Sequence, residues 1–250
     1  MALQPLDSVA PIAAWLNARR AQLLALFACV LVPLYLFGEL ASSIREGERL
    51  AFDEAILRFM QRNASETLDR IMLLASTVGS GRVVGSLDAI VCLLLLARRR
   101  WADATFWLLA TGGAALINRL AKHGYERIRP DLWPSIAPES SFSFPSGHAM
   151  QSTALAAALV VLLWPTAARL ATLVAASLFA VLVGVSRVYL GVHFPSDVLA
   201  GWAASVAWVV GLSFLFYHHA VRGGEAGPQA ARDSSILGRP HRRRGGSPPQ

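Results

Sequence analysis

The feature that most constrains this chain is the recurrence, along 250 residues, of apolar runs close to the length needed to cross a bilayer. A hydrocarbon core about 30 Å thick takes roughly 20 residues of helix, because every buried backbone group must be satisfied within the segment. Such runs cover Ala21–Leu40, residues 81–97, Ala102–Ala121, about Ala149–Leu163, Leu170–Val185 and Val198–Tyr217. They predict an all-α, polytopic membrane bundle of six transmembrane helices. A composition of 54% hydrophobic and 16% charged residues, with mean hydropathy +0.46, excludes an ordinary soluble domain and a disordered chain.

Between the first two runs, residues 41–66 carry Arg45, Glu46, Glu48, Arg49, Asp53, Glu54, Arg58 and Arg62, with Phe52, Ile56 and Phe59 at helical spacing. This pattern predicts an interfacial amphipathic helix. A further apolar stretch begins near Leu68 and is interrupted at Gly79-Ser80-Gly81-Arg82. That glycine pair reads as a helix break, since a phosphate loop would need a preceding strand and a following Gly-Lys-Ser/Thr. Cys29 and Cys92 lie inside apolar runs and read as packing residues.

The formal charge of +7 is distributed as membrane-side arginine clusters and a basic C-terminal tail, so no nucleic-acid partner is implied. Arg19-Arg20, Arg98 to Arg100, Arg169 and the tail arginines fall on one side if the spans alternate. The positive-inside rule then puts both termini in the cytoplasm. The domain reading is a cytoplasmic segment at residues 1–20, a six-helix domain at 21–218 and a basic, disordered cytoplasmic tail at 219–250. The first run is read as an uncleaved helix, because a signal-peptide core is typically about 7 to 15 residues.

Three polar segments fall at the other ends of the spans. Lys122-His-Gly-Tyr-Glu-Arg-Ile-Arg129-Pro130 closes the third span, and Lys122 is the only lysine in the chain. Phe144-Pro145-Ser146-Gly147-His148 opens the fourth, with Ser146 in a position to cap the helix and Gly147 leaving its N–H open to an anion. Ser186-Arg187-Val-Tyr-Leu-Gly-Val-His193-Phe-Pro-Ser-Asp197 links the fifth and sixth, and a carboxylate four residues past His193 is able to hold one ring nitrogen and present the other. Together they gather cations, directed hydrogen-bond donors and two histidines at one membrane face. Phosphoryl transfer asks for that combination, since charge spreads over three equatorial oxygens. Lys122, Arg129 and Arg187 supply positive charge, and the Ser146 hydroxyl and Gly147 N–H supply donors. No Asp/Glu cluster suited to magnesium accompanies them, so the expected route uses no metal and no cofactor, with a histidine as nucleophile.

In order and spacing the three segments resemble the signature motifs of the type 2 phosphatidic acid phosphatase (PAP2), or lipid phosphate phosphatase, superfamily: Lys-x6-Arg-Pro, Pro-Ser-Gly-His and Ser-Arg-x5-His-x3-Asp. Every fixed position is matched between Lys122 and Asp197. The resemblance implies that His193 attacks phosphorus, that Asp197 orients it, that His148 protonates the leaving oxygen, and that Lys122, Arg129, Ser146, Gly147 and Arg187 hold the phosphate. That division of labour requires His193 neutral and His148 charged at the outset. The implied partners are a lipid phosphate and the bilayer, with the site at the periplasmic or outer face. Family substrates include undecaprenyl diphosphate, phosphatidylglycerophosphate, phosphatidic acid and lipid A phosphates, among which motifs that read only phosphate do not choose. A phosphotransferase and a non-catalytic headgroup binder are the alternatives, and the motifs carry no information on oligomeric state. Outside the motifs, Asp88 within the second span reads as locally packed or paired. Arg127 is placed to touch phosphate or headgroups, Asn118 and Arg119 to support Lys122, and Trp133 and Phe142 to guide lipid or anchor at the interface.

Overall fold

The computed structural model describes residue 20, residues 23–24 and residues 26–223, with side chains as far as Tyr217. The expected N-terminal segment therefore lies almost wholly outside the described residues, and so do tail residues 224–250. The described residues fall into two compact units, divided between Ser213 and Phe214. The described residues are helical with no strand: α1 Phe27–Arg45, whose first turn is a π-helix, α2 Ala51–Arg62, α3 Glu66–Val78, α4 Gly81–Ala97, α5 Trp101–Tyr125, α6 Gly147–Leu163, α7 Arg169–Tyr189 and α8 Pro195–Gly223. The last helix runs five residues past the expected boundary at 218.

Among the described residues, three helices are long and apolar enough to cross a membrane, namely α1, α7 and the Pro195–Tyr217 part of α8. A fourth is added if α3 and α4, bent by 43° at their junction, count as one span. The bend falls at the expected glycine break. Gly79 ends α3, and the Ser80 hydroxyl accepts the Val83 N–H at 3.4 Å to start α4. The stretch read as interrupted at residues 79–82 is thus two helices. α6 has 17 residues, about 25 Å at 1.5 Å per residue, which is shorter than the hydrocarbon is thick. It is nevertheless central: Ala149, Met150, Ala154 and Ala158 are fully buried, and the small alanine side chains let α5 and α7 pack against it.

The amphipathic segment is shorter than expected. α1 continues to Arg45, a turn with Gly47 at φ +74° follows, and only α2 is the separate helix. α2 has two stripes. Phe52, Ile56 and Phe59 face outward, whereas Asp53 and Leu57 face inward, with Leu57 buried against Ala149, Val188 and Val198. Glycine sets one approach that matters for the site: a Cβ on Gly201 would lie 3.0 Å from the Ser146 carbonyl, so α8 crosses the start of α6 closely.

Candidate active site

The three segments meet where α5 ends and where α6 and α8 begin. α5 stops at Glu126, in a left-handed conformation whose N–H bonds back to the Lys122 carbonyl at 3.1 Å. The chain then runs through Arg127 and Arg129 to a loop that returns at Ser143 and the cis Phe144–Pro145 bond. Ser146 begins α6, its N–H bonded to the Asp197 carbonyl at 3.0 Å. The turn between α7 and α8 is fixed by the Arg187 carbonyl, which accepts the N–H of Val192 at 3.2 Å and of His193 at 3.3 Å. Gly191 supplies the φ of +69° that turn needs, and a Cβ there would lie 2.7 Å from the Trp133 ring. Pro195 opens α8, and Asp197 reaches back to accept the Phe194 N–H at 2.9 Å, as an acid at the third helical position does in a capping box.

His193 is buried, and its two nitrogens have different partners. Nδ1 lies 3.4 Å from Asp197 Oδ2, and Nε2 lies 3.0 Å from Arg129 Nη1. A guanidinium only donates, so Nε2 carries the lone pair and Nδ1 the proton. This is the tautomer that presents a nucleophilic Nε2. Burial holds the His193 imidazolium well below its ordinary range, at about 3, against the opposing pull of Asp197. Asp197 is itself fully buried and also accepts from Ser143 Oγ and Arg127 Nη1.

The cations surround this pair. Arg129 donates from Nη1 to the Val192 carbonyl at 2.6 Å and from Nε to the Ser141 carbonyl at 2.6 Å. Lys122 Nζ meets the Phe142 carbonyl and Ser141 Oγ, and burial together with Arg129 lowers its ammonium to about 8. Arg187 is 1% exposed; it donates from Nη1 to Ser76 Oγ and from Nη2 to Glu139 Oε1 at 2.6 Å. Two donors are left over. Arg187 Nε and Ser146 Oγ are buried without a hydrogen-bond partner in the protein, although such groups cost about 1–3 kcal/mol each when unsatisfied. Ser146 is thus at the N-cap position without capping, contrary to expectation, and its hydroxyl is free for a ligand.

Other expectations are corrected. His148, one residue ahead of the fourth apolar run, has its imidazolium pushed down to about 4 by burial and by the charge of Arg187, so it is neutral in the free site rather than charged. Asn118 clamps the Pro145 carbonyl at 3.1 Å, and its Oδ1 and Lys122 Cε both lie beside Gly147. Trp133 is half-buried and packs on Gly191 and the Leu57 cluster. Arg127 binds two carboxylates, Asp53 and Asp197. Asp88 in α4 is half-buried, and its Oδ1 has no hydrogen-bond partner.

Sequence reasoning missed Glu139. Its carboxylate is 2.6 Å from Arg187 and 4.0 Å from His148 Nδ1, so it sits among the groups that would meet an anion. Its signal was weak, a lone acid in a Pro/Ser-rich loop outside every motif. Among the described residues no group of three or more His, Cys, Asp or Glu is placed to hold a metal ion.

Comparison with known proteins gives a consistent picture. The PAP2 superfamily profile matches residues 103–221. Phosphatidylglycerophosphatase B of Bacillus subtilis (strain 168) is 34% identical over 178 residues, covering 69% of this chain and 87% of that protein. The undecaprenyl-diphosphatase of Sulfolobus acidocaldarius is 28% identical over 194 residues, 74% of this chain and 88% of the other. The crystal structure of a transmembrane PAP2-type phosphatidylglycerolphosphate phosphatase from Bacillus subtilis superposes with a TM-score of 0.66 at 32% identity, covering 73% of this chain and 94% of that one.

Proposed function

The chain belongs to the PAP2 superfamily of membrane phosphatases, and from that premise we propose that it hydrolyses a lipid phosphomonoester or terminal diphosphate through a phosphohistidine. The observation that carries the reading is the pair of buried, unsatisfied donors, Arg187 Nε and Ser146 Oγ, beside a histidine whose free lone pair is on Nε2. An anion with several acceptor oxygens is the kind of ligand that satisfies such donors.

In the first step Nε2 of His193 leaves Arg129 and attacks phosphorus. An N–P bond forms as the bond to the lipid oxygen breaks, and His148 gives that oxygen a proton. Asp197 balances the positive charge that develops on His193. Arg187, Arg129, Lys122, Ser146 Oγ and the Gly147 N–H hold the three equatorial oxygens. In the second step His148 takes a proton from water, which attacks phosphorus and breaks the N–P bond. His148 is neutral in the free site. A bound phosphate offsets the cations that hold its charge down, so the proton it donates enters with a monoanionic substrate.

The proposed architecture is six spans, with α5 and α6 crossing among the longer helices, as the domain at residues 21–218 between a cytoplasmic N-terminal segment and a cytoplasmic basic tail. The site then faces the periplasm or cell exterior. Phosphatidylglycerophosphate and undecaprenyl diphosphate are the first candidates, ahead of phosphatidic acid and lipid A phosphates, a reading supported by the names of two relatives. The test is a panel of these lipids with purified protein and free phosphate as readout, with and without chelator. Metal-independent release from at least one lipid is expected. Transfer to an added acceptor with no release to water would overturn hydrolysis, and binding without turnover would overturn the enzyme.

A further inference from the structure

Asp197 and Arg127 raise a difficulty within the proposed mechanism. The charge with which Asp197 supports His193 is opposed by a guanidinium whose Nη1 is 2.5 Å from Oδ1 of the same carboxylate. A carboxylate paired that closely presents little net charge to a third group. The structure supplies a second carboxylate. Asp53, from the inward stripe of α2, is 3% exposed, and its Oδ2 is 2.9 Å from Arg127 Nη2. Its two oxygens also accept from the Ser196 N–H at 2.8 Å and the Ser196 hydroxyl at 2.5 Å, at the first turn of α8. Arg127 donates to Ser196 Oγ at 2.7 Å and lies over the Phe194 ring at 4.1 Å. All three charged side chains are therefore largely withdrawn from water and joined through α8's first turn, next to His193.

We propose that Asp53 is a positioning residue that acts through Arg127: it balances the Arg127 cation, so that the Asp53–Arg127–Asp197 unit faces His193 with one net negative charge. Arg127 gives Asp197 a fixed orientation, and Asp53 returns the charge that this orientation would otherwise consume. Neither Asp53 nor Arg127 touches the phosphate. The unit also ties α2, whose other face exposes Phe52, Ile56 and Phe59, to the nucleophile. The proposal rests on the phosphohistidine reading, in which His193 gains positive charge.

Charge counting gives a test that a merely structural role does not mimic. Asp53→Asn keeps the shape and the acceptor for the Ser196 N–H, places an NH2 where Oδ2 accepted from Ser196 Oγ and Arg127, and leaves the unit neutral. Adding Arg127→Gln restores the single negative charge while removing further native contacts. With full-length protein in detergent, kcat of Asp53→Asn is expected to fall on the order of tenfold, the scale of coupling in a buried charge network. KM and the inhibition constant of inorganic phosphate, which read the anion cradle, stay within about twofold. Asp53→Asn/Arg127→Gln is expected to recover at least about threefold in kcat over the single variant, non-additivity of the kind contacting charges produce. A double variant equal to or worse than Asp53→Asn overturns the proposal, and so does a loss carried by KM or an unchanged kcat. If Asp53→Asn does not fold, the double variant is compared with wild type: loss beyond about a hundredfold overturns the unit, and retention above that supports it. Inactive wild type, or active His193→Ala, would indicate failure of the underlying reading and not of this one.

Discussion

Replacing Glu139 with glutamine is expected to tighten anion binding. In the free site the Glu139 carboxylate takes the hydrogen bond of Arg187 Nη2 at 2.6 Å, so an incoming phosphate competes with a charge-assisted bond on a guanidinium that is 1% exposed. Such bonds contribute about 1.5–3 kcal/mol, roughly twice a neutral one, so the amide gives way more easily by about 1–1.5 kcal/mol. Removing a carboxylate from beside an anion acts in the same direction. Glu139 is 31% exposed at its side chain, which takes the effect to the lower end. The expectation is therefore a fall of about five- to tenfold in the inhibition constant of inorganic phosphate. The assay is competitive inhibition of hydrolysis of a short-chain lipid phosphate in detergent, with vanadate as a second anion. An unchanged or weaker inhibition constant would refute the competition and mean that Glu139 stays bound to Arg187 when the anion enters.

His193→Ala is expected to lower turnover by at least about a thousandfold in folded protein, and phosphate release near wild type would contradict the nucleophile. Because the free-site His148 is held at about 4, kcat/KM for a phosphomonoester should fall tenfold per pH unit above the substrate's second ionisation, near about 6; a plateau to pH 8 would contradict proton delivery by the substrate. Gly191→Ala places a Cβ both at φ +69° and 2.7 Å from the Trp133 ring, so it should shift the His193 turn and cost at least about 1–2 kcal/mol of stability with most of the activity, checked by thermal unfolding and turnover. In a cysteine-free background, a single cysteine at Ser140 should label from outside intact cells and one at Arg99 should not; reversed labelling would overturn the sidedness.

The sequence was most legible where chemistry fixes both residue type and spacing. Lys122, Arg129, Ser146, His148, Arg187, His193 and Asp197 are marked by motifs, and helix ends alone suffice to bring them near one another. Apolar runs likewise marked α1, α7 and α8. Elsewhere the signal was three-dimensional. Asp53 reads on a helical wheel as one more acid of an amphipathic face, and its burial follows from Leu57 docking among α6, α7 and α8, which no local pattern records. Glu139 lies in a loop whose path is set by Arg129 gripping Ser141, a contact between residues 12 apart with no periodicity. Ser146 has the sequence of a helix cap, but tertiary placement leaves its hydroxyl unbonded. The protonation of His148 depends on three cations from two other segments, so its own motif is silent on it.

The central claim is that phosphorus passes through His193. Its most direct test is a single-turnover reaction with radiolabelled lipid phosphate, quenched in alkali, where a phosphohistidine survives, and mapped by peptide mass spectrometry. The account predicts label on the peptide containing His193, appearing before free phosphate and absent from His193→Ala. Label on another residue, or phosphate released by wild type with no labelled protein at any time point and no burst of lipid product, would contradict it.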